Sequence, residues 1–384
     1  MSDSKGGWTD FLRQSGSDYL AWLDRDHVLT KNVEVLAGAL QTLLKCSIGS
    51  PEDARNVWEA TPAVLGACND QTTYERPGAA EAYAWLHLLE RYARTWSALR
   101  RLVEAGCLPM AKHGVRTLDV GSGAGPSAFA VLDFYNAMTE FSILTENLKW
   151  RQPPKLTCVE TDDRTNHFRH MLAELVFEQS GRQFTNVLDL CNHLNDFQAI
   201  LPSENRQRYQ QQLLSETDEY FDEIRQEPTS DLIYSADDAN EIANSLHRYR
   251  LIVFSNFLTT KETLVKFEAN LVDILVDARP GSVVMILGGK GEPYPDIYAN
   301  ADRLARAAGF FVKIEGESVS SNDADDTNVA NQIYEKGGEF CRHLLHLAPD
   351  AAEATRESRR VKSHFISARR KKAKTSQLWA YRKY

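Results

Sequence analysis

Residues 119–126 read Asp-Val-Gly-Ser-Gly-Ala-Gly-Pro, with glycines at 121, 123 and 125. They follow the apolar run "VRTLDV" (115–120) and precede the apolar stretch "SAFAV". Glycine accepts positive φ and has no Cβ to hold a ligand away from the main chain. A turn with no further task needs one or two such residues. Three at alternate positions, separated only by Ser122 and Ala124, suit a loop that brings bare backbone against a bound molecule. A second chemical group stands at Glu160, which closes the apolar run "KLTCVE" (155–160). An ionised carboxylate accepts several hydrogen bonds and can grip two neighbouring hydroxyls. Ser255 and Asn256 close a third run, "YRLIVFSN" (249–256).

The elements that must position these groups alternate in kind. Beside the three runs named above, "DLIYSA" (231–236), "GSVVMILGG" (281–289), "FFVKIEGESV" (310–319) and "SQLWAYRKY" (376–384) read as strands. Helical stretches lie between most of them, one opening at Pro126 and one stopped by Pro280-Gly281. Apolar strands alternating with helices predict an α/β fold with a seven-stranded, doubly wound, mostly parallel sheet covered on both faces. In such a sheet the ligand crevice lies beyond the carboxyl ends of the strands, where the glycines and Glu160 fall.

Residues 8–110 read as helical, with Ser50 as an N-cap ahead of Pro51 and Gly106 as a C-cap. The chain therefore divides into an N-terminal helical module (1–110) and a ligand-binding domain (111–384). Two intervals, 180–229 and 320–375, are too long for ordinary connections and are expected to be insertions.

Composition narrows the class. The chain has 384 residues, 43% hydrophobic and 25% charged, as expected for a soluble globular protein. No apolar run approaches the ~20 residues needed to cross a bilayer, and no secretory leader pattern is visible. The six cysteines are scattered with no CxxC pair, so neither a metal site nor a redox motif is expected, and reduced thiols in the cytoplasm are the simplest reading. The net charge of −9 is uneven: residues 356–384 carry a net +10, the rest −19. Arg369, Arg370, Lys371, Lys372 and Lys374 form the densest basic run, a candidate phosphate-binding patch for RNA or DNA; a solvated basic face is the alternative.

The pattern DxGxGxG between a strand and a helix, followed by a strand ending in an acid, resembles motif I of the class I S-adenosylmethionine-dependent methyltransferases. The resemblance covers residues 112–319 and the last strand. It implies S-adenosyl-L-methionine as cofactor, held by the loop residues Gly121, Ser122, Gly123 and Gly125. It implies Glu160 as the ribose-binding acid, and Asp119 as the group that fixes the turn and the cofactor's amino group. It places Asp237, after the third strand, toward the adenine amine, with Asp238 or the Ala236 carbonyl as alternatives. Ser255 and Asn256 fall beside the methionine end, and Asn256 and Phe257 are the candidates for positioning the methyl acceptor.

Two departures carry information. Position 126 is Pro where a dinucleotide fingerprint has its third glycine, which disfavours an NAD(P) oxidoreductase. The fourth run continues "SNFLTT" and lacks the [D/N]PPY of many amino methyltransferases, which disfavours adenine-N6 and glutamine methylation. His247, His343 and His346 are open as general bases. The expectation is a methyltransferase whose acceptor the sequence does not identify, RNA or another nucleic acid being one candidate. An inactive cofactor-binding scaffold or assembly factor is the alternative, and an enzyme acting on a protein or small molecule is the second. The oligomeric state is left open.

Overall fold

The computed structural model describes residues 7–66, 76–111, 114–160, 162–180, 187–189, 249–255, 265, 268, 271–272, 274–276, 278–292, 294–321, 327–366 and 375–384. Five helices open the chain: α1 (Gly7–Arg25), α2 (Val28–Ser47), α3 (Pro51–Gly66), α4 (Ala79–Tyr83) and α5 (Leu89–Glu104), with a π-helical turn, Ala84–Leu88, joining the last two. The two expected caps are present. Ser50 Oγ accepts the Asp53 amide while Asp53 accepts the Ser50 amide, a reciprocal N-cap. Gly106 lies at φ +63°, and the Gly106 and Cys107 amides bond back to Val103 and Leu102, a left-handed helix stop.

From there strands and helices alternate: β1 (Val115–Val120), α6 (Pro126–Thr145), β2 (Pro154–Val159), α7 (Asp163–Ser180), β3 (Val187–Asp189), β4 (Leu251–Ser255), β5 (Val283–Gly288), α8 (Tyr294–Ala307) and β6 (Phe310–Ser320). Three helices, α9 (Thr327–Leu347), α10 (Ala351–Ala354) and α11 (Arg356–Ile366), precede β7 (Thr375–Lys383). The seven strands run in the order β3-β2-β1-β4-β5-β7-β6. All neighbours are parallel except β7, which inserts antiparallel between β5 and β6, as in the class I methyltransferase fold.

One strand differs from expectation. The strand beside β2 is Val187–Asp189, within the interval read as an insertion, while 231–236 lies outside the described residues. An edge strand pairs on one side only, and three residues in register with Leu156, Thr157 and Cys158 suffice. So short a run, flanked by polar Asn186 and Asn192, carries little apolar signal beside the longer "DLIYSA".

Side chains alternate across the sheet. Val115, Leu251, Val253, Val283, Met285, Leu287, Leu378 and Ala380 share one core with α1–α6 and α9–α11. Leu118, Val120, Ile252, Phe254, Val284 and Ile286 face the other way, against α8 and the buried Leu271, Ile274 and Leu275. The first core therefore runs without a break from the N-terminal helices to the sheet. Its densest part is aromatic: Tyr19 packs on Phe134, Phe141 and Trp150 at ring separations of 5.0–5.6 Å, and its hydroxyl donates to the Phe134 carbonyl. Each such ring pair adds roughly 0.5–1.5 kcal/mol beyond its buried area. The late helices join the same layer. Trp85 Nε1 donates to the Gly337 carbonyl of α9, and Ser358 of α11 donates to the Trp58 carbonyl of α3.

β7 is the last element of the chain and lies inside the sheet. Removing residues 376–384 would expose the hydrogen-bonding edges of β5 and β6 and empty the space of Leu378, Ala380 and Tyr381. The truncated chain is expected to be insoluble or to lack a cooperative thermal transition, measured by calorimetry; a truncated chain with a wild-type melting curve would contradict this placement.

Candidate cofactor crevice at the ends of β1 and β2

The turn after β1 explains its three glycines. Gly121, Gly123 and Gly125 have φ of +67°, +55° and +87°. Each occupies the left-handed region that side chains disfavour, so the backbone path by itself requires all three. The turn is anchored to β2, because the Gly121 and Ser122 amides both donate to the Val159 carbonyl, at 2.9 and 3.0 Å. Pro126 then starts α6, where its missing N–H costs nothing.

Glu160 stands across from this turn. Its Oε2 accepts the Gly123 amide at 2.7 Å and its Oε1 the Asp162 amide at 3.3 Å. The carboxylate is thus fixed in orientation at the carboxyl edge of the sheet and retains acceptor capacity on both oxygens. Asp162 in turn caps α7, accepting the Thr165 amide at 2.9 Å and the Thr165 hydroxyl.

Arg169 of α7 was not indicated by the sequence. It is 4% exposed, and its guanidinium donates to Ser122 Oγ at 2.8 Å, to the Gly123 carbonyl at 3.1 Å and to Asn166 Oδ1 at 2.7 Å. It therefore staples the turn to α7. A Cβ on Gly125 would lie 2.8 Å from Arg169 Cδ, so the third glycine also makes room for this side chain. The only sequence signal is the helical spacing of Asn166 and Arg169, which place both on one face of α7.

Tyr83 is the second unforeseen neighbour. A Cβ on Gly123 would lie 3.1–3.3 Å from its ring and hydroxyl. Arg91 donates to that hydroxyl at 2.6 Å and lies over the ring at 5.0 Å. The bare side of the turn thus faces an aromatic residue carried by the N-terminal helices.

Asp119, beneath the turn, is 1% exposed, and neither of its carboxylate oxygens has a hydrogen-bond partner. The hydrogen bonds that hold the turn come from Arg169 and run to the Val159 carbonyl. Burial raises its pKa from 3.8 to about 7, with Glu160 adding to the rise and Arg169 and the Ala128 amide opposing it. Ser255 ends β4, 8% exposed and in register with Leu287 of β5. Asn256, Phe257, Asp237, Asp238, Ala236, His247 and the basic run Arg369, Arg370, Lys371, Lys372 and Lys374 lie outside the described residues. His343 is engaged at 3.1 Å with the Ile48 carbonyl, and His346 is exposed on α9. Among the described residues no cluster of His, Cys, Asp and Glu could hold a metal, and no helix is long and apolar enough to cross a membrane.

No protein-family model and no curated protein matches the chain. Similar solved structures include the precorrin-6y C5,15-methyltransferase of Geobacter metallireducens, 9% identical, with 76% of this chain and 88% of that chain covered at a TM-score of 0.34. Another is an S-adenosylmethionine-dependent methyltransferase of Geobacter sulfurreducens in complex with S-adenosyl-L-homocysteine, 12% identical, with coverages of 77% and 90% and a TM-score of 0.33.

The buried Asp119 has a consequence for stability. The folded carboxyl keeps its proton up to about pH 7, whereas the unfolded one loses it near 4, so folding weakens as pH rises between these values. Asp119→Asn is expected to stabilise the ligand-free protein by about 4 kcal/mol at pH 8, with the gain shrinking toward pH 5. Urea unfolding at the two pH values measures this; a gain independent of pH would contradict titration of Asp119 in this range. The strand order and directions, and not these distant superpositions, give the chain its class I methyltransferase fold.

Proposed function

We propose that the chain binds S-adenosyl-L-methionine in the crevice formed by the 121–125 turn, Glu160 and Asp119, and directs its methyl group to a nucleic acid. The observation that carries this reading is the pair of carboxylates at the turn: Glu160 oriented by the Gly123 amide, and Asp119 buried below without a partner. A diol and a positive charge are the ligand groups that complement such a pair. A pyrophosphate is not, because the Glu160 carboxylate repels it and the nearby Arg169 is engaged with Ser122, Gly123 and Asn166. This favours a sulfonium cofactor over a dinucleotide.

Bound there, S-adenosylmethionine supplies a methyl group activated by its sulfonium. The chain's residues position and shield. Glu160 orients a ribose, Asp119 supplies negative charge to a cationic group, and Tyr83 covers the turn and excludes water from it. The acceptor is expected at the ends of β4 and β5, beside Ser255. The basic run, which lies in the sequence between α11 and β7, supports a nucleic acid as that acceptor through its charge.

Calorimetric titration with S-adenosylhomocysteine and with NAD(P) tests the cofactor. Glu160→Ala should weaken S-adenosylhomocysteine binding by about 2–3 kcal/mol and Glu160→Gln by less, since one acceptor remains. An Ala variant that binds as tightly as the wild type would remove Glu160 from the site. Methyl transfer from labelled cofactor into cell extract separates an enzyme from an inactive scaffold.

The acceptor class has its own test. Replacing Arg369, Arg370, Lys371, Lys372 and Lys374 with Ser should leave S-adenosylhomocysteine affinity intact and weaken RNA or DNA binding. In the wild type log K should fall with log salt at a slope of about −4. Binding insensitive to salt would remove the patch and favour a protein or small-molecule acceptor.

A further inference from the structure

α5 buries three arginines, Arg91, Arg94 and Arg100. A guanidinium taken out of water is costly unless opposite charge or a full set of acceptors compensates it. Arg100 is compensated, forking onto both oxygens of Asp24 at 2.7 and 2.8 Å. Arg94, 8% exposed, is treated differently. It donates from Nη1 to the Ser376 hydroxyl and from Nε to the Glu90 carbonyl at 3.4 Å, and both acceptors are neutral. It forms no ion pair among the described residues, and its Nη2 has no acceptor there. The groups that bear on it electrostatically are Glu90, Arg91, Tyr83 and Tyr294, and burial lowers its pKa to about 10, so it stays charged at neutral pH.

Its place in the fold is informative. Ser376 opens β7, opposite Val319 of β6, and the next residue, Gln377, pairs with Gly288 at the carboxyl end of β5. Tyr294 covers Gly288 and Gly289. One turn back along α5, Arg91 holds Tyr83 over the cofactor turn. Arg94 therefore sits at the strand ends, on the β5–β7 side of the proposed cofactor crevice, where an open sheet of this kind receives its ligands.

Resting on the methyl-transfer reading above, we infer that Arg94 and Ser376 form a subsite for a phosphate group of the methyl acceptor. The unengaged Nη2 edge of a guanidinium and a neighbouring hydroxyl match two oxygens of a phosphate. Phosphate is favoured over carboxylate because it carries more negative charge to offset a buried guanidinium, and because the sequence just before Thr375 and Ser376 is strongly basic. The substrate's phosphate then adds to the negative charge that Glu90 brings to bear on Arg94.

The experiment uses the full chain saturated with S-adenosylhomocysteine. Thermal unfolding is followed with inorganic pyrophosphate and with chloride at matched ionic strength. The wild type should show a saturable rise in Tm with pyrophosphate alone. Arg94→Met and Ser376→Ala should lose or weaken it, and Arg94→Lys, which keeps the charge without the fork, should bind roughly tenfold more weakly. None of the three should alter S-adenosylhomocysteine affinity. Labelled methyl is then followed into the RNA and the low-molecular-mass fractions of a deproteinised extract, which separates a polymeric from a free source of phosphate. A wild type that binds S-adenosylhomocysteine but gains nothing from pyrophosphate would overturn the subsite alone. So would Arg94→Met or Arg94→Lys responding as the wild type does, or methyl label confined to unphosphorylated protein. A wild type that fails to bind S-adenosylhomocysteine would overturn the methyltransferase reading and the subsite with it.

Discussion

A parallel sheet is apolar on both faces, and in this chain β1, β4 and β5 are buried at every residue. Both faces must be covered before the sheet is stable in water. α8 and the apolar residues between β4 and β5 cover one face. The other is covered by α6 and by helices from the two distant parts of the sequence, α1–α5 and α9–α11. This need for cover ties the ends of the chain together and fixes where the functional groups lie. α5 is buried nearly all round because it is sandwiched between the sheet layer and its own neighbours; Tyr92 reaches Asp133 of α6 from it at 2.7 Å.

The turn after β1 concentrates conformational and electrostatic cost in a few residues. Three left-handed residues in five are held by two amide bonds to β2 and by the Arg169 staple. Below them a carboxylate is buried without a hydrogen bond, at a cost the rest of the core must offset. Strain and desolvation of this kind persist where the surroundings over-determine them, and a pre-shaped ligand crevice is a common reason.

The covering helices also reach the site. The π-helical turn between α4 and α5 comes directly after Tyr83, which lies over Gly123, and α5 carries Arg91 and Arg94 along the strand ends. A helix layer that closes the core thereby also forms one wall of the crevice. Through Tyr83 the N-terminal helices thus pack directly against the glycine turn.

The sequence by itself determined the local features. The glycine turn, the Pro126 helix start, the Ser50 and Gly106 caps and six of the seven strands each follow from short-range preferences that a few neighbouring residues express. Glu160 was legible for the same reason, as an acid closing an apolar run. β3 was not, because an edge strand of three residues is defined by its partner β2 more than by its own composition. Arg169, Tyr83 and Arg94 were hidden for a related reason. Each acts on a residue 40 or more positions away, Arg169 on Ser122, Tyr83 on Gly123 and Arg94 on Ser376, and no local pattern records such a pairing. The sequence could mark Asp119 as a polar residue beside a ligand loop; only the packed structure decided that it is buried and unpartnered, because desolvation is a property of everything folded around it.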